Sequence, residues 1–258
     1  MKLIVTDLDN TLLTAEKTVT PYTREVLRKC REKGIAFAIA TARPQRTVLP
    51  LLGDIIPGAY IVDNGARIYL RGKEAARREI DLDTVLALLA RLHAEPAVHT
   101  ITLEIGTAAL TTDTRVWPTE GWNGIYTPFE KMTREALKPL CVTKVTVSCL
   151  APDVVRRILA DFPELHVYAN TGEEWMQIMR ADATKATGLR RVCELMGISP
   201  AEAVAFGDDE NDADMLRAAG TGVAMANAIP ACMEAADAVC GHFDEDGVAR
   251  WLAENLFS

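Results

Sequence analysis

The sequence has six cysteines but no CxxC pair, four histidines but no HExxH spacing, and no internal repeat or low-complexity tract. Those spacings are the usual marks of zinc and redox sites, so neither kind of site is expected. The cysteines, at 30, 141, 149, 193, 232 and 240, lie mostly inside apolar runs and read as buried thiols of a reducing cytoplasm. No apolar run approaches the ~20 residues needed to cross a bilayer. At the amino terminus only Leu3-Ile4-Val5 separates Lys2 from Thr6 and Asp7, too short a stretch for a signal peptide. The expectation is a cytoplasmic protein with no membrane partner. A surplus of positive charge is missing as well: 36 acidic residues against 28 basic ones leave a net charge of −8 and a pI near 5.1. That argues against nucleic acid, whose phosphate backbone rewards a basic surface, and against a polybasic membrane-surface protein.

What remains is an ordinary globular composition, 258 residues with 49% apolar and 25% charged, enough for one or two domains without covalent staples. Lys2 to Thr6 and Ile35 to Ala40 are short apolar runs without polar alternation, as is Ala59 to Asp63. Such runs belong to parallel strands covered on both faces. Between the first two, Thr20-Pro21 offers a cap and a first-turn proline for a helix that closes near Gly34. Asn64-Gly65 is a strong turn pair, after which Arg67 to Leu70 returns as a hairpin strand.

From about Asp81 the texture changes. A helix over 81–95 is followed by alternating stretches at 98–103, 108–112 and 142–149. A second helix over 152–162 then leads into strands at 165–169 and 175–179. Half-polar strands with two helices predict an α+β unit whose sheet has one solvated face. After Arg180 the first texture returns. Helices are expected over 185–196, 212–219 and 247–256, a buried strand over 203–206, and short strands at 222–225 and 238–240. The fold class expected is therefore α/β: a Rossmann-like parallel-sheet core made of residues 1–80 and 181–258, with an α+β cap inserted at 81–180.

Chemistry gathers at the strand ends. Asp7 and Asp9 follow the first buried strand, where open parallel sheets place their sites. Two carboxylates at this spacing can divide labour between nucleophile and proton shuttle. A single Asp there is as readily a cap or turn residue. Residues 207–214, Gly-Asp-Asp-Glu-Asn-Asp-Ala-Asp, carry five carboxylates in eight positions after another buried strand. Two unit charges ~4 Å apart repel by about 4 kcal/mol at an effective dielectric of 20. Asp208 and Asn211 therefore mark a site for a hard divalent cation, Mg²⁺ where phosphate is also bound. The plain alternative is a solvated acidic loop, the reading preferred for Asp209 and Glu210. Thr41-Ala42-Arg43 ends the second strand and offers a hydroxyl and backbone N–H groups for a phosphate, or simply a helix cap. Lys185 opens a helix, where the macrodipole disfavours a cation. A bound phosphate or the carboxylates should hold it, unless it is a solvated surface residue. Nucleophile, acid/base, anion cradle, balancing lysine and cation site together make a phosphoryl-transfer set.

With DLDNTLL (7–13), ATARP (40–44), DNGA (63–66), TKATGL (184–189) and GDDENDADML (207–216) in order, the chain resembles the haloacid dehalogenase-like superfamily of phosphohydrolases, and within it the Cof-type branch. AGTGVAMANA (219–228) and DEDGVARWL (244–252) match the branch's usual ending, so the resemblance covers essentially the whole chain. It implies a Mg²⁺-dependent phosphatase of small phosphate monoesters, sugar phosphates or phosphorylated cofactors above all, working through an aspartyl-phosphate. By this resemblance Asp7 is the nucleophile and a metal ligand. Asp9 is the acid/base and lends its backbone carbonyl to the metal. Thr41 and Ala42 hold the phosphate with Lys185 and Asn211, Arg43 stands at the cradle within reach of substrate, and Asp208 completes the metal site with Asp212 beside it. Three positions depart from the usual glycine: Asn10, Ala42 and Ala186. None is a catalytic group, and Asn tolerates the left-handed backbone that the first of these positions needs. A phosphomutase of the same architecture, or a slow phospho-acceptor module like a receiver domain, are the rival readings; Asp9 argues against the latter. The cap is expected to choose the substrate, with Trp117, Trp122, Glu173, Trp175 and Met176 as candidate lining residues that serve equally well as packing. The protein is expected to be a monomer or homodimer.

Overall fold

In the computed structural model, which describes residues 1–106, 108–113, 126–128, 133–169 and 175–257, the first apolar run forms β1 (Leu3–Thr6), and all four residues are buried. The chain then makes an irregular turn over Leu8–Leu12, closed by a 2.9 Å hydrogen bond from the Leu13 N–H to the Leu8 carbonyl. Asn10 takes the left-handed conformation expected of it, with φ 56°. Helix α1 (Pro21–Glu32) starts where the Thr20 hydroxyl accepts the Thr23 N–H, and Lys29 and Arg31 in its last turn suit the negative end of the helix dipole. β2 (Ala36–Ala40) leads through Thr41-Ala42-Arg43 to α2 (Gln45–Leu52). β3 (Ala59–Val62) turns back through Asp63-Asn64-Gly65 into β4 (Arg67–Leu70), an antiparallel hairpin in which Tyr60 faces Tyr69. A strand not anticipated from sequence, β5 (Lys73–Arg77), follows. Its charged, largely exposed residues hide the strand pattern and suit a sheet edge.

The middle segment comprises α3 (Leu82–His93), β6 (Val98–Glu104), β7 (Ala109–Thr111), β8 (Tyr126–Pro128), α4 (Arg134–Leu137), β9 (Lys144–Cys149), α5 (Pro152–Leu159), β10 (Leu165–Ala169) and β11 (Trp175–Arg180). Its sheet runs β10-β11-β9-β6-β7-β8 and is antiparallel apart from the β7–β8 pair. Val85, Leu88 and Leu92 of α3 and Val155 and Ile158 of α5 share one apolar cluster with Ile101, Leu103, Val145, Val147 and Ile178 of the strands. Met176 belongs to that cluster, so it packs, while Trp175 is half-buried. Trp117, Trp122 and Glu173 lie outside the described residues. The expectation of one solvated sheet face fails in the centre of the sheet. Thr100, Thr102, Glu104, Thr111, Lys144, Thr146 and Ser148 are all buried. Alternation records which face is polar, not which is wet. Short hydroxyl side chains on adjacent strands shield one another, as where Thr102 donates to Thr111 at 3.0 Å.

The last segment supplies α6 (Lys185–Met196), β12 (Ala203–Gly207), α7 (Glu210–Ala218), β13 (Thr221–Ala224), α8 (Pro230–Ala235), β14 (Ala238–Val239) and α9 (Gly247–Leu256). Together with the first segment it builds a sheet of order β14-β13-β12-β1-β2-β3-β4-β5, parallel from β14 to β3. β1 is paired on both sides, Val5 with Ala205 and with Ala38. The strand order reverses at β1, and ligands of open α/β sheets bind beyond the carboxyl ends of strands at such a reversal. By contacts the chain divides into residues 1–43, 48–76 and 184–258 on one hand, and 44–47 with 77–183 on the other. The architecture is thus an α/β fold with a mostly parallel core sheet and a separate, mostly antiparallel sheet inserted mid-chain. All six cysteines are free thiols, five of them buried and Cys141 half-buried. Burial pushes Cys232 and Cys240 up to about 12, too high for a thiolate at neutral pH. Among the described residues no helix is long and apolar enough to cross a membrane.

Gly65 joins the two chain segments of the core. It has φ +94°, and a Cβ there would lie 2.1 Å from the Thr184 carbonyl oxygen, a backbone atom with no freedom to yield. Gly34 has φ +77° but open space around it. Gly34→Ala should therefore cost about 1 kcal/mol for the left-handed backbone alone. Gly65→Ala should cost at least about 3 kcal/mol, because strain and overlap add. Urea unfolding of the two variants checks this, and equal costs would contradict the close approach.

Candidate active site

Each site residue follows directly from an element end. Asp7 is the first residue after β1, Thr41 the first after β2, Asp208 the first after β12, and Lys185 the first of α6. α6 is capped by Thr184, whose hydroxyl accepts the Thr187 N–H while Thr187's own hydroxyl returns a bond to the Thr184 N–H. That box starts the helix at Lys185 and fixes where its side chain leaves the backbone. α7 is capped in the same way by Asp209, which is therefore more than the solvated loop acid expected; Glu210 is exposed as expected. Gly207 is required by proximity, since a Cβ there would sit 2.4 Å from the side chain of Asp212.

These ends converge on a buried cluster. Lys185, 1% exposed, donates to Asp7 Oδ1 at 2.9 Å and to Asp212 Oδ1 at 2.7 Å, so it is no surface lysine. Asp212 Oδ2 accepts the backbone N–H groups of Asp208 and Asp209, at 3.1 and 3.2 Å. Asp208 Oδ1 accepts the Thr11 hydroxyl at 2.7 Å. Carboxylate oxygens of Asp7, Asp208 and Asp212 lie within 4.8 Å of one another. Three carboxylates thus share one ammonium, and the imbalance shows on both sides. Burial pushes Lys185 down, but the charges and hydrogen bonds of Asp212 and Asp7 outweigh it and hold the ammonium above its ordinary value. Burial pushes Asp7 well above the usual carboxylate range; Lys185 opposes this, while the neighbouring negative charges of Asp212, Asp208 and Asp9 add to it. Burial and then Asp212 push Asp208 up to about 7, only partly offset by Thr11 and Lys185. A cation of two or more charges fits the surplus. Both oxygens of Asp212 are already engaged, whereas Asp7 and Asp208 each keep an oxygen without a partner among the described residues, and these two residues are best placed to hold it.

Asp9 points to different company. Arg43 donates to both its oxygens, Nε to Oδ2 at 2.6 Å and Nη2 to Oδ1 at 2.8 Å, and Lys17 Nζ meets Oδ1 at 2.9 Å. Burial pushes Asp9 up, yet the hydrogen bonds and charge of Arg43, joined by Lys17, bring it down to about 2. Arg43, expected at the phosphate cradle, thus holds Asp9 here. Thr41 is buried and its hydroxyl accepts the Arg43 N–H at 3.2 Å. Ala42 is absent from the residues with positive φ, as its substitution for glycine requires. Asn211 donates to Asn64 Oδ1 at 2.9 Å. Sequence reasoning gave no role to Lys17, Thr11 or Asn64. Thr11 and Asn64 lie inside motifs already singled out. Lys17 carries no local signal, since its reach to Asp9 depends on a turn over 14–18 in which it adopts φ 58°.

A family model described as haloacid dehalogenase-like hydrolase matches residues 4–252. The chain belongs to that family. Among relatives of this hydrolase, a 5-amino-6-(5-phospho-D-ribitylamino)uracil phosphatase of Bacillus subtilis is 29% identical over 98% of this chain and 96% of its own length. A pyridoxal phosphate phosphatase of Escherichia coli is 28% identical over 99% and 98%. The solved structure of a haloacid dehalogenase-like hydrolase from B. subtilis has the same fold, with a TM-score of 0.85 at 24% identity, covering 99% of this chain and 100% of that one. The hydrolase is of the family's phosphatase kind and carries a buried aspartate triad suited to a metal.

The raised value of Asp208 has a consequence for stability. Its folded value near 7 stands above the ordinary 3.8, so the folded protein keeps a proton that the unfolded chain releases. That contribution is complete below about pH 4 and is lost as pH rises through 7, amounting to about 4 kcal/mol. Asp9 acts in the opposite sense, but its contribution is lost only as pH falls from about 4 through 2. Unfolding measured in EDTA between pH 4 and 8 should therefore show falling stability, and saturating divalent cation should flatten the slope. A flat profile in EDTA would speak against a cluster with surplus negative charge.

Proposed function

We propose that this hydrolase removes the phosphoryl group from small phosphate monoesters, with Asp7 as nucleophile and Mg²⁺ as cofactor. The observation that carries the reading is the Asp7–Lys185–Asp212 cluster with Asp208, buried at the point where the sheet order reverses. The Asp7 oxygen not turned to the cation forms a bond to phosphorus while the ester P–O bond breaks, and the departing oxygen takes a proton from Asp9. Asp9, again a carboxylate, then takes a proton from water as the water oxygen attacks phosphorus. The Asp7–phosphorus bond breaks, releasing inorganic phosphate and restoring both side chains. When bound by Asp7, Asp208 and the Asp9 backbone carbonyl, the cation neutralises negative charge where a phosphate must approach carboxylates. Lys185 holds Asp7 in place, and Thr41, the Ala42 N–H and Asn211 hold phosphoryl oxygens.

The Asp9 clamp adds a requirement. Held by Arg43 and Lys17 with a value of about 2, Asp9 is ionised and carries no proton for the leaving group. An incoming phosphate dianion competes for Arg43, and the freed carboxyl can then carry the proton the leaving group needs. Choice among esters is assigned in this reading to the inserted unit, residues 77–183. Relatives named for a ribitylaminouracil phosphate and for pyridoxal phosphate support phosphorylated vitamins and cofactors, beside sugar phosphates, as candidates in this reading.

Release of inorganic phosphate from a panel of such esters should require Mg²⁺ and stop in EDTA. Asp7→Asn should lower it at least ~1,000-fold while leaving the circular dichroism spectrum unchanged. Activity retained in Asp7→Asn would remove the nucleophile assignment. Isomerised sugar phosphate without free phosphate would favour a phosphomutase instead.

A further inference from the structure

The turn between β3 and β4 is built with more care than a hairpin needs. Asp63 and Asn64 both adopt left-handed backbone, φ 49° and 53°, and both are completely buried. Two such residues in succession store strain that a surface turn would avoid by using glycine, and stored strain of this kind gathers at functional sites. Three site segments meet the turn. The Asn64 N–H donates to the Thr41 carbonyl at 3.0 Å, the Asp63 N–H to the Arg43 carbonyl at 3.1 Å, and Gly65 lies against the Thr184 carbonyl, next to Lys185. The fourth contact is the side-chain bond from Asn211 of α7.

That amide pair is incomplete. With Asn211 Nδ2 bonded to Asn64 Oδ1, the Asn64 Nδ2 and the Asn211 Oδ1 are buried without a hydrogen-bond partner among the described residues. Exchanging the oxygen and nitrogen of both amides leaves the same inventory, one open NH₂ group and one open carbonyl. A buried amide left unpaired costs about 1–3 kcal/mol, so a pair that keeps an open donor in either assignment, on Asn64 as the bond from Asn211 stands, is poised for an external acceptor. We propose that Asn64 is a further phosphate-binding residue: its NH₂ group donates to a phosphoryl oxygen, and its carbonyl sets the orientation of Asn211. The inference rests on the phosphatase reading for the identity of the anion, but not for the open donor.

The test compares Asn64→Asp, Asn64→Gly, Asn211→Ala and the Asn64→Gly/Asn211→Ala double variant with the wild type. Asp and Gly both accept left-handed backbone, which keeps the turn foldable. Asp also keeps the acceptor for Asn211 while removing the donor. The readouts are competitive inhibition by inorganic phosphate in Mg²⁺, kcat and KM for one hydrolysed ester, and thermal unfolding. Asn64→Asp and Asn64→Gly should each weaken phosphate inhibition about tenfold to a hundredfold, the worth of one hydrogen bond to a charged group. The Gly change should weaken it again in the Asn211→Ala background, because Asn64 makes its own contact. Unchanged phosphate inhibition with lowered thermal stability would reduce the pair to packing and overturn the proposal. So would a double variant no weaker than Asn211→Ala, which would leave Asn64 acting only through Asn211. A wild type that hydrolyses the ester while the variants bind phosphate normally sinks this inference alone. A wild type that neither hydrolyses esters nor binds phosphate sinks the functional reading with it.

Discussion

The position of Lys185 governs everything around it. A lysine ammonium at 1% exposure is tolerable only because Asp7 and Asp212 both accept from it. Those two carboxylates come from opposite ends of the chain, one at the tip of β1 and one in the first turn of α7. The ammonium therefore joins β1, α6 and α7 at a single point, and the capping box at Thr184 sets the helix register that makes the junction possible. Asp212 does a second task there. Its other oxygen accepts the N–H groups of Asp208 and Asp209, so the residue that balances the lysine also shapes the loop presenting Asp208. Charge balance and backbone geometry are thus set by the same side chain, which explains why Gly207 must leave room for it.

Around this junction the site separates carboxylates into two environments of opposite character. Asp7 and Asp208 lie in a buried, negatively overloaded environment, and Asp9, two residues from Asp7, lies between two cations. Environments that push neighbouring acids apart are how a fold assigns them different chemical roles. Between and after them the chain is irregular, with Asp9 extended at φ −72° and ψ 130° and Asn10 left-handed.

Much of this could be read from sequence because it is local. Asp7, Thr41 and Asp208 follow apolar runs of strand length, and Lys185 contradicts the helix dipole, so each stands out within a few residues of its neighbours. What stayed hidden depends on distant parts of the chain. The Asn64–Asn211 bond spans 147 residues, and no period or cap signal reports it. Lys17 reaches Asp9 from a turn that gives it a left-handed backbone, which no lysine advertises. β5 carries only two small apolar residues, Ala75 and Ala76, among charged ones, because an edge strand needs no more. The middle sheet offers the subtler case. Its Thr-rich alternation identifies the polar face correctly, yet that face is buried, since burial is a property of what surrounds a strand and not of the strand's own residues.

The sheet order also has a bearing on how the protein is made. β1 lies between β2 and β12, and the Thr11 hydroxyl that steadies Asp208 must wait for a residue 197 positions later. At roughly 5–20 residues per second, the nascent chain spends about 10–40 s with one flank of its most buried strand unpaired. An apolar strand with an open edge invites pairing with other chains. Biosynthesis therefore gives the inserted middle segment a cost that the finished enzyme does not show: every residue placed between Asp7 and Asp208 lengthens the interval in which the core is half-built and the buried carboxylate cluster does not exist.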